Sequence, residues 1–257
     1  MSSQQSAPPG DAFAEEATFG AGGSEPYAAA LRRSHSNVLY LRESDGQEIA
    51  DANRMDVSRW NAHADAADVS LLRSVTGPLI DIGCGPGRMV RAAAEVGHGA
   101  LGIDVSPTAI EIATEAGLNV LLCSVFEPLP DEGRWQTALL VDGNIGIGGD
   151  VTAMLERCRE LLSDDGEIVV ETHADESWDR TYTGRLVDSH GRESASFPWA
   201  EVGIDTLLRR AAAVGLASRR VWELDGRSFC RLTAARQHSR RARPPGRRPP
   251  RHRSEVS

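Results

Sequence analysis

Apolar residues along this chain come in short unbroken runs, separated by stretches in which they recur every three or four positions. Runs of the first kind read as buried strands, and stretches of the second kind as helices with one face on a core. Strands are expected at Leu79–Ile82, Ala100–Asp104, Val120–Cys123, Thr137–Asp142 and Glu167–Thr172. Helices are expected at Ala66–Val75, at Arg88–Val96, after Ser106-Pro107, and at Val151–Leu162. In the last of these, Val151, Met154, Leu155, Cys158, Leu161 and Leu162 share one face. Ser106 is a capping residue with Pro107 at the first helical position, and Asp150 caps the helix at Val151. A helix over Val202–Val214 repeats the periodicity through Ile204, Leu207, Leu208, Ala211 and Ala212. Two final strands, Ser218–Glu223 and Ser228–Thr233, flank Asp225-Gly226, a tight hairpin signal. Alternating strands and helices predict an α/β fold, a doubly wound parallel sheet covered by helices.

Length and composition set the limits. The 257 residues suffice for one α/β domain with short additions. There is no lysine: all 28 basic residues are arginine. The net charge of −9 conceals an asymmetry, because Arg236–Ser257 holds eight arginines against one glutamate, leaving −16 on the remainder. Four prolines interleave Arg243–Arg253 without an apolar pattern, so residues 236–257 are expected to be a disordered tail, either merely solvated or an arm for polyanions. Residues 1–36 are also expected to be disordered, and 37–235 to be the folded domain. Within it an insert, 177–200, carries Trp178, Tyr182, Phe197 and Trp199 and reads either as an acceptor pocket or lid or as a segment packed on the body. Trp60, with the helix before the first strand, could close the other side of a bound cofactor. No apolar run is long enough for a membrane span, and no secretory leader is evident, so a cytoplasmic protein without a membrane partner is expected. Cys84, Cys123, Cys158 and Cys230 lack metal-ligand spacing and are expected to be free thiols, with no metal site.

The chemistry concentrates in Pro78-Leu-Ile-Asp-Ile-Gly-Cys-Gly-Pro-Gly-Arg88. A strand runs into a turn of alternate glycines and then into a helix N-terminus, which is the arrangement of a nucleotide-type site. The glycines are spaced G-x-G-x-G, unlike the G-x-G-x-x-G that cradles a dinucleotide pyrophosphate. Asp81, two residues before the first glycine, would repel a phosphate and suit an ammonium or sulfonium group. Asp104 ends the next strand, 21 residues after Gly83, where it lies beside the turn and can accept ribose hydroxyls.

The string at Asp81, Gly83, Gly85 and Gly87 resembles the first motif of the class I S-adenosylmethionine-dependent methyltransferases, Asp/Glu-x-Gly-x-Gly-x-Gly. The resemblance covers roughly Ala66 to Thr233. It implies a Rossmann-like, doubly wound, seven-stranded, mostly parallel sheet with an antiparallel last strand, and S-adenosyl-L-methionine as cofactor. It places Ser124 where the family usually has an acid that reads adenine, followed by Val125, whose amide could share that recognition, and Phe126, which could stack on the ring. It puts Asp142, Gly143 and Asn144 in the family's fourth motif, beside the transferred methyl. Cys84 and Val105 complete the expected cofactor-binding set, with Cys84 packed under the turn.

The implied reaction is in-line displacement, in which positioning supplies much of the rate and few side chains are obligatory. His173, after the fifth strand, is the candidate general base, and Asp142 the second catalytic candidate. Neither an Asn/Asp-Pro-Pro-Tyr string nor a Pro-Cys nucleophile of the DNA-modifying enzymes is present, so a small-molecule acceptor is expected and a nucleic-acid partner is not. The alternatives are methylation of RNA or protein, a non-catalytic module that binds the cofactor, and an NAD-dependent oxidoreductase.

Overall fold

The computed structural model describes residues 18–20, 26–33, 38–44 and 53–235. The chain opens with helix α1 (Tyr27–Leu31), strands β1 (Val38–Glu43) and β2 (Asn53–Asp56), and helix α2 (Val57–Asn61). An alternating series follows: α3 (Ala66–Arg73), β3 (Leu79–Ile82), α4 (Arg88–Glu95), β4 (Ala100–Asp104), α5 (Pro107–Glu115), β5 (Val120–Leu122), β6 (Trp135–Leu140), α6 (Val151–Leu161) and β7 (Leu162–Thr172). The chain then forms β8 (Asp179–Asp188), β9 (Phe197–Val202), α7 (Ile204–Ala213), β10 (Leu216–Leu224) and β11 (Arg227–Ala234).

Seven strands make one sheet in the order β10-β11-β7-β6-β3-β4-β5. β3, β4, β5, β6 and β7 are mutually parallel, and the last strand, β11, inserts antiparallel between β7 and β10. The expected sheet is therefore the observed one, mostly parallel with an antiparallel last strand. Each residue of β3 is buried, because helices cover both faces. Alternation along β3 sends Ile80 and Ile82 into one apolar cluster with Met154, Leu155 and Leu207. Leu79 faces the opposite cluster, with Leu72, Met89 and Phe229. Asp81 shares the face of Leu79, and so lies under α4 at the edge of an apolar layer.

Local chemistry explains where the helices start. Asp65 and Asp68 form a reciprocal capping box at α3, Ser106 Oγ accepts the Ala109 amide at α5, and Asp150 accepts the Thr152 and Ala153 amides at α6. Boundaries differ slightly from expectation. β6 ends at Leu140 rather than Asp142, since Asp142 takes a left-handed φ of +55° and turns the chain.

A second sheet was not expected. β2-β1-β8-β9 are all antiparallel, with Leu39 opposite Asp188 and Tyr182 opposite Trp199. Residues 177–200 thus form most of two strands of a sheet rather than a separate lid. The expectation of an unstructured segment over 1–36 also fails for part of its length. α1 is a helix whose Tyr27, Ala28, Ala30 and Leu31 are buried, and Phe19 packs beside it. Tyr27, Leu39, Leu41, Val57, Leu186, Phe197 and Trp199 form the core under this sheet. The sheet is fastened to the loop after β6 by a bridge between Ile147 and Trp199. The remainder of 1–36 and the 236–257 tail lie outside the described residues. Among the described residues no helix is long and apolar enough to cross a membrane, and no group of three or more His, Cys, Asp or Glu could hold a metal ion.

Candidate active site

A cavity of about 400 Å³ lies at the carboxyl ends of β3, β4 and β6, between the main sheet and the smaller one. Its floor is the glycine turn. Gly83 and Gly85 have φ of +73° and +54°, a backbone that side-chain-bearing residues rarely adopt. A Cβ on Gly83 would also fall 2.8 Å from Asn144 Nδ2. Asn144 in turn donates from Nδ2 to the carbonyls of Ile82 at 2.8 Å and Gly83 at 3.0 Å, so it clamps the turn from the β6 loop. Cys84 is buried, its thiol near the Gly85 carbonyl at 3.4 Å, and burial pushes its pKa well up. A thiol kept protonated inside an apolar layer is packing, not a nucleophile.

Asp104 lies against the turn from the neighbouring strand. Its Oδ2 accepts the Gly85 amide and its Oδ1 accepts the Ser106 amide, both at 2.8 Å. Burial raises its pKa, while the backbone amides of Ser106, Gly85 and Val105 oppose that shift. Each oxygen retains a second lone pair for a hydroxyl donor. Val105 lines the same wall.

Asp81 is the exceptional residue. It is 1% exposed and lines the cavity, yet neither carboxylate oxygen has a hydrogen-bond partner among the described residues. Burial, then the charges of Asp142 and Asp104, raise its pKa to about 8. A buried carboxyl left without partners either keeps its proton or takes a cation, and the cavity has room to hold one.

Asp142 is differently placed. Arg88, from the first turn of α4, ion-pairs with both Asp142 and Asp68. Arg227, from β11, donates to Asp68 Oδ1 at 2.8 Å and to Glu171 Oε1 and Oε2 at 2.7 and 2.6 Å, and its guanidinium lies 3.5 Å from Asp142. Two arginines and three carboxylates thus tie five elements together beneath the cavity. The Asp142 carboxylate is thus engaged by two arginines. None of Asp68, Arg88, Glu171 and Arg227 had been singled out, because each resembles an ordinary surface charge until the fold brings them together.

The expected base His173 lies outside the cavity lining. Its ring stacks on Trp178 with centroids 4.5 Å apart, and its Nδ1 accepts the Asp175 amide at 3.0 Å. The chain turns away at the end of β7 and carries the imidazole with it. Trp178 and Tyr182 also turn away, both bonding Glu201.

At the end of β5, Ser124, Val125 and Phe126 do line the cavity. Ser124 Oγ accepts the Phe126 amide at 3.3 Å, while Glu127 takes the Ser124 amide at 2.9 Å. Glu127 stabilises the turn from outside the lining and does not replace the missing acid. Val125 is buried, whereas Phe126 is 47% exposed at the rim, facing Gly148. Gly143, with φ +86°, lets the β6 loop turn under Trp199.

The roof is aromatic. Phe19, Tyr27, Trp60 and Trp199 line it together with Met55. Ring centroids are 5.2 Å apart for Phe19–Tyr27, 5.7 Å for Tyr27–Trp60 and 5.4 Å for Phe19–Trp199. Trp60 and Trp199 had been anticipated around the site; Phe19, Tyr27 and Met55 had not. Phe19 and Tyr27, two of three large rings in a stretch otherwise rich in small and polar residues, were the available signal.

Comparison with known proteins agrees with this geometry. A family model described as a methyltransferase domain matches residues 58–237. A SAM-dependent methyltransferase of Bacteroides fragilis, solved with S-adenosyl-L-homocysteine, superposes with a TM-score of 0.67 at 21% identity, over 82% of this chain and 94% of its own. The CcbJ methyltransferase of Streptomyces caelestis gives 0.52 at 15% identity, over 69% of this chain and 92% of its own. At such identities the likeness is one of fold. A curated ubiquinone biosynthesis O-methyltransferase of Chelativorans sp. (strain BNC1) is 30% identical over 99 residues, or 37% of this chain and 39% of that protein. The match thus spans about two fifths of that relative's length.

Proposed function

This chain belongs to the methyltransferase domain family, and from that premise we propose that it transfers a methyl group from S-adenosylmethionine to a small molecule held under the aromatic roof. It is a class I S-adenosylmethionine-dependent methyltransferase, and its folded unit takes in Phe19 and α1 as well as the residues up to 235. The observation that carries the assignment of the site is Asp81, a buried carboxyl without a partner that faces the cavity beside the glycine turn. S-adenosylmethionine fits that demand: its ammonium and sulfonium are the cations the carboxyl lacks, whereas a pyrophosphate would be repelled. Gly83 and Gly85 leave the floor open to close approach, and Asp104 offers lone pairs to ribose hydroxyls. Ser124, Val125 and Phe126 form the wall suited to a nucleobase, with Cys84 and Val105 filling in behind. When bound, S-adenosylmethionine supplies a methyl group on a positively charged sulfur, already an activated leaving group.

The protein's share of the work is then positional. The ionic network holds Asp142, Gly143 and Asn144 in place, Asn144 holds the turn, and the rings wall the far side of the cavity. Orienting two bound partners in this way supplies on the order of 7–11 kcal/mol. No protein base is assigned a role, since His173 and Asp142 are both otherwise engaged. A cavity of about 400 Å³, walled on one side by Met55 and Trp199 of the smaller sheet, suits a small acceptor. The test is an acceptor screen read by S-adenosylhomocysteine release. Turnover on small molecules supports the reading, and turnover confined to RNA or protein contradicts it.

A further inference from the structure

The floor of the cavity accounts for a donor; the roof carries information about the acceptor. Tyr27 links the two, its Oη lying 3.4 Å from where a Cβ on Gly85 would stand. Above it, Trp60 meets the Tyr27 ring edge-on at 5.7 Å, and Phe19 contacts Trp199 at 5.4 Å. Ring faces attract cations and apolar surface alike, and repel anions.

The charges point the same way. The described lining holds three carboxylates, Asp81, Asp104 and Asp142, and one guanidinium, Arg88. That guanidinium is already shared between Asp68 and Asp142. Bound S-adenosylmethionine carries one net positive charge, because its sulfonium and ammonium outnumber its carboxylate. Asp81 ionises on meeting that charge and is cancelled by it, which leaves Asp104 as the uncompensated carboxylate of the lining. An anionic acceptor would enter against this field with no free guanidinium in the described lining to meet it, whereas an ammonium enters with it.

Resting on the reading that S-adenosylmethionine occupies the floor, we propose that the methyl acceptor is a basic amine on an apolar scaffold, its nitrogen held beneath the rings of Tyr27 and Trp60. In the transfer, the lone pair of the free amine forms the nitrogen–carbon bond to the methyl group. The carbon–sulfur bond breaks with its electron pair passing to sulfur, leaving S-adenosylhomocysteine. The alkylated nitrogen leaves as an ammonium, and the proton that the substrate ammonium shed before attack goes to water. An amine that sheds its proton to water before attack needs no protein base, in keeping with the position of His173. It also separates this chain's acceptor chemistry from that of the O-methyltransferase to which part of it is similar.

The experiment is calorimetry at pH 7 on the full chain. S-adenosylhomocysteine binding is measured first; if it fails, the donor reading fails and the acceptor is not at issue. The loaded protein is then titrated with 2-phenylethylamine, 2-phenylethanol and phenylacetate, which share a scaffold and differ in the head group. The amine is expected to bind about tenfold more tightly than the alcohol, as cation–π contacts in a desolvated site allow. Phenylacetate is expected to bind most weakly. Trp60→Leu should remove most of the amine's advantage and Trp60→Phe should keep it, each ratio being read on variant protein saturated with S-adenosylhomocysteine. The proposal is overturned if the alcohol or the acid binds as well as the amine, or if none binds while S-adenosylhomocysteine does.

Discussion

Glu171 holds Asp142 by its backbone: Glu171 Oε2 accepts the Asp142 amide at 2.7 Å. Asp142 has a left-handed backbone, and the residue two positions further on, Asn144, clamps the glycine turn. The same Glu171 carboxylate receives both ends of the Arg227 guanidinium at 2.6 and 2.7 Å. The guanidinium lowers the Glu171 pKa despite burial, so the carboxylate stays charged. A strand at one end of the sequence thus sets a loop at the middle of the site.

Arg227→Met leaves Glu171 and Asp68 as buried carboxylates short of a partner. Stability should fall by about 3–5 kcal/mol, the usual cost of removing one member of a buried pair. Thermal unfolding measures it. The double variant Arg227→Met with Glu171→Met should recover part of the loss, because an apolar pair leaves less charge stranded than a single deletion. In the double variant Km for S-adenosylmethionine should still be raised, since the Asp142 amide has lost its acceptor.

Asp81→Asn separates stability from binding. The folded pKa of Asp81, about 8, lies above its unfolded value of about 3.9, so the free protein holds an extra proton between those limits. Stability contributed by that proton is present at low pH and is lost as pH rises from about 4 to about 8. The wild-type melting temperature should therefore fall relative to that of Asp81→Asn across this window, while the variant loses measurable affinity for S-adenosylmethionine. Parallel melting curves against pH would contradict the account.

Asp104→Ala removes the acceptor suited to the ribose and the partner of the Gly85 and Ser106 amides. Charge-assisted hydrogen bonds are worth about 1.5–3 kcal/mol each, so the dissociation constant for S-adenosylmethionine should rise by about 10–100-fold. Near-wild-type affinity would move the ribose elsewhere.

His173→Ala should leave kcat within about twofold of wild type, because its ring packs on Trp178 outside the cavity and transfer relies on positioning. A loss of two orders of magnitude, with folding intact, would restore it as the base.

The seven-stranded sheet was legible because its strands are short apolar runs bounded by glycine and by helix caps, and β3 pairs with neighbours the chain soon supplies. The glycine turn and Asp104 were legible because their spacing is local. The second sheet was not. Asn53–Asp56 reads Asn-Arg-Met-Asp and β8 begins with polar residues, and β1 finds its partner only across the domain, as in the pairing of Leu39 with Asp188. The network of Asp68, Arg88, Asp142, Glu171 and Arg227 was hidden for the same reason, since its members lie on five elements. His173 shows the reverse case. Its position at a strand end was right, but the direction of its side chain depended on Trp178.

The central claim is that S-adenosylmethionine binds over Asp81, and titration calorimetry at pH 7 in buffers of different ionisation enthalpy tests it most directly. Asp81 is largely protonated in the free protein at that pH, so meeting a cation should expel most of one proton. The account predicts saturable binding of S-adenosylmethionine with that proton release, abolished in Asp81→Asn, and no binding of NADH. Binding of NADH without S-adenosylmethionine, or S-adenosylmethionine binding unaffected by Asp81→Asn, would contradict it.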